Sequence, residues 1–455
     1  MKQEQLKRIG MRGIKVLNVA VMVGLFCLCW YFFYVPQKMN TLAYVGAVGL
    51  LYTVVTILLG RIYNAYTAGT YRVSQLVYSQ GLTSLLTTFI AYVVLSMMTL
   101  RLANPLPMLG LLVAQISWSM IWSILANRLY FTLNSPKKTV IVYCCEKELR
   151  KLEEIKFFDS KFRVVKYIQD PQDCERLLSE LDGAEAVFVT GLDMNVRNTV
   201  AKYCMTHGAQ CYIQPRVGDV IMAGAEHMQM FSVPIMRVRK ATPAPEYLFV
   251  KRLFDILASL LAIILASPFM LVTALAIKLQ DGGPVLYKQV RLTKDRKEFK
   301  VLKFRSMRVD AEKDGIARLS TEHDDRITPV GKFIRKIRFD ELPQLFNILK
   351  GDMTIVGPRP ERPEIAEQYE KEIPSFGLRL QVKAGLTGYA QIYGRYNTEP
   401  YDKLKMDLMY INHMSIAEDL RLMFATVKVL FLPESTEGIQ DGQTTASREE
   451  ETLSV

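Results

Sequence analysis

The chain has 455 residues, half of them hydrophobic, and carries 57 Lys and Arg against 45 Asp and Glu for a formal net charge of +12. That length allows two or three domains. The basic balance does not select nucleic acid, because no Lys/Arg-rich tract is interleaved with aromatics as a single-strand groove requires. Basic residues beside apolar spans instead face anionic headgroups and phosphorylated ligands. The seven cysteines are odd in number and lack metal-ligand spacing, so they read as free thiols in a reducing compartment.

Four apolar runs come first: Val16–Val35, Leu42–Gly60, Leu82–Leu100 and Pro107–Ala126. Each approaches the ~20 residues that a ~30 Å hydrocarbon core demands. The basic stretch from Met1 to Lys15 leads into the first run with no small-residue cleavage site, so a removable signal peptide is not expected. Lys2, Lys7, Arg8, Arg12 and Lys15 precede the first run, Arg61 and Arg72 separate the second and third, and Arg128, Lys137 and Lys138 follow the fourth. The other two loops hold only Lys38 and Arg101, which places both ends of the bundle on the cytoplasmic side.

Beyond Lys138 the pattern changes. The segments Thr139–Cys145, Arg163–Ile168, Ala184–Thr190 and Gln210–Gln214 are strand-like and alternate with helix-like Glu146–Ile155, Pro171–Leu181 and Asn195–His207. Such alternation predicts a small parallel α/β sheet. The first strand runs into Tyr143-Cys144-Cys145-Glu146, where a dinucleotide fold needs glycines, so cofactor binding is not expected. Regulation or oligomerisation is the favoured role, with a homodimer as the simplest assembly.

A linker, Lys240–Glu246, leads to a fifth hydrophobic stretch, Leu253–Leu279, interrupted by Ser267-Pro268. Proline removes a backbone donor and clashes with the preceding turn, so a kink or break is expected there. One reading is a simple fifth span. The other is a re-entrant helix that turns at Ser267-Pro268 and returns to the side it left. Positive charge on both flanks (Lys251, Arg252; Lys278, Lys288, Arg291) favours re-entry.

The densest polar constellation follows: Arg335, Lys336 and Arg338, then Asp340-Glu341-Leu342-Pro343. Leu342, Leu345, Phe346 and Leu349 are spaced as one face of a helix beginning near Asp340, with Asp340 as N-cap and Pro343 in the first turn. Read locally, that is a capped surface helix. The three cations and the nearby Gly357-Pro358-Arg359-Pro360 turn support a phosphate site instead. Within it one carboxylate can serve as a nucleophile toward phosphorus and the other as a Mg²⁺ ligand.

The chain resembles the polyprenyl-phosphate glycosyl-1-phosphate transferases, the monotopic phosphoglycosyl transferases of bacterial capsule, exopolysaccharide and O-antigen assembly. The matching stretches are Lys303-Phe304-Arg305-Ser306-Met307, Asp325-Arg326-Ile327-Thr328, Asp340 to Gln344, Lys350 to Met353, Val356 to Pro360, Gly385 to Gly388 and Ala390-Gln391. It departs from the usual pattern at Leu292–Arg296, which lacks glycine, and at Ala384-Gly385, where Pro-Gly is usual.

The resemblance implies a UDP-sugar donor, an undecaprenyl phosphate acceptor at the bilayer and Mg²⁺ as cofactor. It implies Asp340 as nucleophile and Glu341 as metal ligand or proton handler, both near the metal. Arg335 and Arg359 would clamp phosphate, and Arg379, Gln391 and Arg395 would bind nucleotide or sugar. The expected fold is that of a long family member: a membrane protein with a four-helix transmembrane bundle (1–130) and a small Rossmann-like α/β module (138–240). An α/β catalytic domain (247–432) with its re-entrant membrane helix (251–279) follows, then a disordered tail (433–455). The expected location is the bacterial inner (cytoplasmic) membrane, with the catalytic domain cytoplasmic.

Other candidates carry less. His207, His227, His323 and His413 are isolated, and His323-Asp324-Asp325 are three adjacent loop residues that cannot readily converge on one ion. Tyr401 and Lys405 have the spacing of a nucleotide-sugar dehydratase or epimerase pair, but the glycine fingerprint such an enzyme needs is missing. Met228 and Met230 alternate as strand residues in ordinary apolar packing.

Overall fold

A chain segment in lipid must satisfy its own backbone polar groups, and the apolar N-terminal runs do so as helices. The computed structural model describes residues 2–35, 41–153, 158–171, 173–309, 311, 324, 326–394 and 398–430. The expected tail, 433–455, lies outside them. The first helices are α1 (Lys2–Phe33), α2 (Thr41–Ile62), α3 (Val73–Thr99) and α4 (Leu106–Leu133). All four are long and apolar enough to cross a membrane.

Helix α3 starts well before the expected Leu82, its first turns burying the polar Ser79 and Gln80 alongside Leu76. The bundle interior is a hydrogen-bonded seam. Asn18 Nδ2 donates to Gln80 Oε1 at 3.3 Å, Trp118 Nε1 to Asn18 Oδ1 at 2.9 Å, and Gln115 Nε2 to Met22 O at 3.1 Å. Between helices in lipid, such bonds and close packing replace the hydrophobic drive available in water.

A parallel four-stranded sheet follows, in the order β2-β1-β3-β4. Its elements are β1 (Lys137–Tyr143), α5 (Glu146–Glu153), α6 (Phe158–Lys161), β2 (Phe162–Gln169), α7 (Cys174–Glu180), β3 (Ala186–Thr190), α8 (Met194–His207) and β4 (Gln210–Ile213). The centre of β1 and all of β3 are buried on both faces, as strands flanked by neighbours in a parallel sheet should be.

The chain divides into two compact units at Gln214/Pro215. Residues 215–240, grouped with the α/β module on sequence, fold with the second unit. There α9 (Val217–Ala223) puts Val217 and Val220 into the second unit's core. The strands β5 (Glu226–Met230) and β6 (Val233–Arg237) form an antiparallel hairpin turning at Phe231 and Ser232, both at positive φ. Met228 and Met230 are therefore strand residues, but both faces of the hairpin are largely exposed and neither side chain joins a core.

Helix α10 (Pro245–Asp281) continues without interruption through Pro268, which corrects the expectation of a break. The proline deprives the Ile264 carbonyl of its helical donor, and the Ser267 hydroxyl supplies a replacement at 2.8 Å. The remaining elements are β7 (Leu286–Leu292), β8 (Glu298–Phe304), α11 (Pro329–Lys336), α12 (Gln344–Lys350), β9 (Thr354–Val356), α13 (Pro363–Glu372), β10 (Gly385–Thr387), α14 (Tyr389–Tyr393), α15 (Pro400–Asn412) and α16 (Ile416–Leu430). β7 and β8 form a hairpin, and β9 pairs in parallel with β10. Gly357 and Gly385 cross so closely that a Cβ on Gly385 would overlap the Gly357 backbone.

Both ends of α10 grip this second unit. Near its start, Arg252 donates to the Ile348 and Leu349 carbonyls at 2.6 and 2.7 Å, tying α10 to the last turn of α12. Asp255 accepts from Thr354 Oγ1 at 2.6 Å and from the Ile355 amide at 3.0 Å. Near its end, Ile277 packs with Phe304 and Ile334, and Asp281 holds Arg305 through both carboxylate oxygens. The stretch between these anchors exposes Leu257, Leu260, Leu261, Ile264, Leu265, Phe269, Leu271 and Val272.

Candidate active site

Thr328 caps α11, its hydroxyl accepting from the Gly331 amide at 3.0 Å, and α11 delivers Arg335 in its last turn. The chain then reverses at Arg338, whose φ of 55° lies in the left-handed region. For a non-glycine residue that conformation costs ~1 kcal/mol. The reversal starts a separate 3-10 turn, Phe339–Glu341, and α12 begins only at Gln344 with Pro343 at its N-cap. Asp340 is therefore not a helix cap, which corrects the local reading. The buried face of α12 also differs: Leu345, Asn347 and Ile348 face inward and Phe346 is exposed. Asn347 turns inward because its side chain bridges β8, accepting from the Leu302 amide at 2.9 Å and donating to Lys300 O at 2.9 Å.

The two carboxylates of the turn have unlike surroundings. Glu341 Oε1 lies 3.1 Å from Lys303 Nζ and 2.8 Å from Arg359 Nη2, while Oε2 lies 3.9 Å from Arg338 Nη1. Burial alone would push this carboxyl up. The fields of Arg359, Lys303 and Arg338, with the Arg359 hydrogen bond, outweigh it and hold Glu341 well below the usual range. Asp340 forms no hydrogen bond or ion pair among the described residues; its nearest influences are the fields of Lys303, Arg335 and Arg359. Burial first, and the neighbouring Glu341 charge, raise its carboxyl. The structure thus brings Arg335, Arg359, Asp340 and Glu341 together as the sequence suggested.

Lys303 and Arg338 complete the cluster; Arg338 was one of the three cations read ahead of the pair, whereas Lys303 stood only within a matching stretch and was given no role. Lys303 had a readable signal. It continues the strand face of Phe299 and Val301, both core residues, so the period-2 pattern sets a lysine where an apolar side chain is due. Burial lowers its pKa, opposed by Glu341.

The remaining expected residues lie elsewhere. Arg379 is 3% exposed. Its guanidinium sits 2.7 Å from Asp407 Oδ2, donates to the Arg359 carbonyl at 2.8 Å and stacks over the Phe376 ring at 5.0 Å. Gln391, on α14, has both amide atoms buried without a hydrogen-bond partner among the described residues. Arg395 lies outside the described residues, as do His323 and Asp325. Asp324 pairs with Arg326 at 2.6 Å. Tyr401 accepts from the Val217 amide at 3.2 Å, and Lys405 pairs with Asp402 at 2.6 Å, so both are engaged in packing α15.

Among the described residues there is no group of three His, Cys, Asp or Glu side chains. Mg²⁺ does not need one, since it is commonly held by one or two carboxylates and substrate phosphates. Asp340 and Glu341 Oε2 are the carboxylate oxygens left for it, so the residues present fit the ion.

Residues 246–433 match the family of bacterial sugar transferases. A UDP-N-acetylgalactosamine-undecaprenyl-phosphate N-acetylgalactosaminephosphotransferase of Aeromonas hydrophila is 44% identical over 191 residues, 41% of this chain and 45% of that protein. A UDP-glucose:undecaprenyl-phosphate glucose-1-phosphate transferase of Klebsiella pneumoniae is 39% identical over 248 residues, 53% of each chain. The matched region thus spans about half the length of these two relatives. An exopolysaccharide production protein of Rhizobium leguminosarum is 42% identical over 189 residues, 40% of this chain and 94% of that protein. The chain belongs to the bacterial sugar transferase family. The sugar transferase region takes in the whole Lys303, Asp340, Glu341 and Arg359 cluster. The transmembrane bundle and the parallel sheet lie outside it.

Proposed function

We propose that this sugar transferase moves a sugar-1-phosphate from a UDP-sugar to undecaprenyl phosphate at the cytoplasmic face of the bacterial inner membrane. The observation that carries the reading is the asymmetry of the dyad: Glu341 is locked among Arg359, Lys303 and Arg338, while the adjacent Asp340 has no hydrogen bond or ion pair among the described residues. The relatives, undecaprenyl-phosphate sugar-phosphate transferases by name, supply the substrate class.

In the first step an Asp340 carboxylate oxygen attacks the β-phosphorus of the UDP-sugar. The bond from that phosphorus to the bridging oxygen breaks, UMP leaves, and the sugar-phosphate is carried as an acyl phosphate on Asp340. In the second, a phosphate oxygen of undecaprenyl phosphate attacks the same phosphorus and expels the Asp340 carboxylate. Arg335 and Arg359 offer guanidinium groups to the phosphate oxygens, for which the planar fork is suited. Lys303 and Arg359 keep Glu341 ionised and fixed. Mg²⁺, held by Asp340 and Glu341 Oε2, would mask diphosphate charge.

The acceptor is lipid-borne, so the site must lie at the bilayer surface. Re-entry of α10 is supported by its two anchors, Arg252/Asp255 and Ile277/Asp281, which hold one and the same unit. The reversal would be a kink at Pro268 within a continuously hydrogen-bonded helix, leaving each half of Leu253–Leu279 ~20 Å long against a ~30 Å core. The parallel strand order β2-β1-β3-β4 supports a doubly wound reading of the sheet, in the flavodoxin-like order rather than the 3-2-1-4 of the Rossmann fold. Incubation of the full chain in nanodiscs with undecaprenyl phosphate and a panel of UDP-sugars tests the function. UMP release with one of them supports it, and none with any would sink it.

A further inference from the structure

We propose that Arg379 is a positioning residue: paired with Asp407 and assisted by Arg291, it holds the Arg359-Pro360-Glu361 backbone so that the Arg359 side chain meets Glu341. This rests on the phosphotransfer reading of the site and assigns Arg379 a place beneath the loop rather than on a ligand.

Three consecutive carbonyls of this loop are held by the fold. Arg359 O accepts from Arg379 Nη2 at 2.8 Å, Pro360 O from Arg291 Nη1 at 3.0 Å, and Glu361 O from the Leu292 amide at 2.9 Å. The Glu361 carboxylate lies between the two arginines, 3.6 Å from each. Arg379 and Asp407 are 3% and 1% exposed, so neither side chain offers surface to a soluble nucleotide. A buried ion pair is a poor source of net stability, since desolvation offsets much of its attraction. What it supplies here is direction. The guanidinium is clamped between the Asp407 carboxylate and the Phe376 ring with one donor aimed at Arg359 O. Both contacts fall on Nη2, whose direction the planar, ring-stacked guanidinium fixes; a lysine ammonium keeps the charge on a flexible stem without that plane.

The test uses the full chain in nanodiscs, with UMP release followed at varied UDP-sugar and saturating undecaprenyl phosphate. Arg379→Lys and Arg379→Gln are each made alone and combined with Arg359→Ala. Misplacement of a reacting group by about 1 Å can cost 10²-fold, so Arg379→Gln is expected to lower kcat by about 10- to 100-fold with KM nearly unchanged. In the Arg359→Ala background the same change should cost less than about 3-fold, because the side chain being positioned is gone. Equal losses in both backgrounds, or a rise in KM with kcat intact, would overturn the proposal in favour of direct ligand contact.

Hydrogen exchange separates this result from folding and from the functional reading. Arg379→Lys should accelerate exchange in peptides covering residues 285–293 and 354–363 and leave α16 unchanged. Uniform acceleration across the second unit, or no local change, would count against positioning even if no UDP-sugar proved to be a substrate.

Discussion

Arg359 Nη2 lies 2.8 Å from Glu341 Oε1, and Lys303 Nζ reaches the same oxygen at 3.1 Å, so one carboxylate oxygen is held by two cations from separate loops and strands. Among the described residues the pairing leaves Asp340 with no ion pair to break before it reacts. Glu341→Gln removes the charge that holds both cations and should lower the rate of UMP release by about 10²- to 10³-fold, the scale of losing one preorganised electrostatic contact. Retention of more than a tenth of wild-type kcat would show that the contact does not serve the reaction.

Lys303 is the cation that the sequence did not single out. Lys303→Met keeps much of the side-chain volume on the core face shared with Phe299 and Val301, yet removes the charge beside Glu341. Activity is expected to fall at least ten-fold while the melting temperature in detergent shifts by only a few degrees. A variant with normal kcat and a collapsed melting curve would make Lys303 a structural residue.

The anchor of α10 has its own signature. Asp255 accepts from Thr354 Oγ1 and the Ile355 amide, both buried. Asp255→Ala would leave that amide unsatisfied at ~1–3 kcal/mol and free the helix from β9. The expected outcome is a lower melting temperature with faster hydrogen exchange in β9 and α12; unchanged exchange there would rule out an anchoring role.

Burial raises the Asp407 carboxyl to about 6, with Arg379 and Lys403 opposing and Glu361 adding to the shift. A carboxyl that binds its proton more tightly when folded contributes stability that is full below its unfolded pKa of ~3.9. That contribution is lost as pH rises through about 6. Between those limits the unfolding free energy of the wild type should fall relative to Asp407→Asn as pH rises. Parallel pH profiles for the two proteins would contradict the assignment.

Topology follows from α10. A cysteine placed at Gln280, on the exposed end of the helix, should resist impermeant thiol reagents in intact cells and react after the membrane is opened. Labelling in intact cells, compared with the parent protein, would mean a true fifth crossing.

The transmembrane helices were legible because their exposed surfaces are mostly large apolar side chains, and the strands of the parallel sheet because β1 and β3 are buried on both sides. The start of α3 was not, since a bundle interior lined by Ser79, Gln80 and Thr83 looks polar to a hydropathy window. Asp340 and Glu341 stood out through their neighbours, but the turn that carries them depends on the positive φ of Arg338, which nothing in a run of arginine and lysine announces. Arg379 was expected to bind nucleotide or sugar, and only the fold places Asp407, from α15, beside it in the interior. Such pairings are tertiary facts and leave no local periodicity to read.

The most direct measurement of Asp340 as nucleophile is UMP release from the cognate UDP-sugar with undecaprenyl phosphate left out. A covalent sugar-phosphate on Asp340 predicts a burst of up to one UMP per enzyme, with the added mass on the peptide that contains Asp340, and neither in Asp340→Asn. Release that occurs only when acceptor is present, or a burst that survives Asp340→Asn, would contradict it.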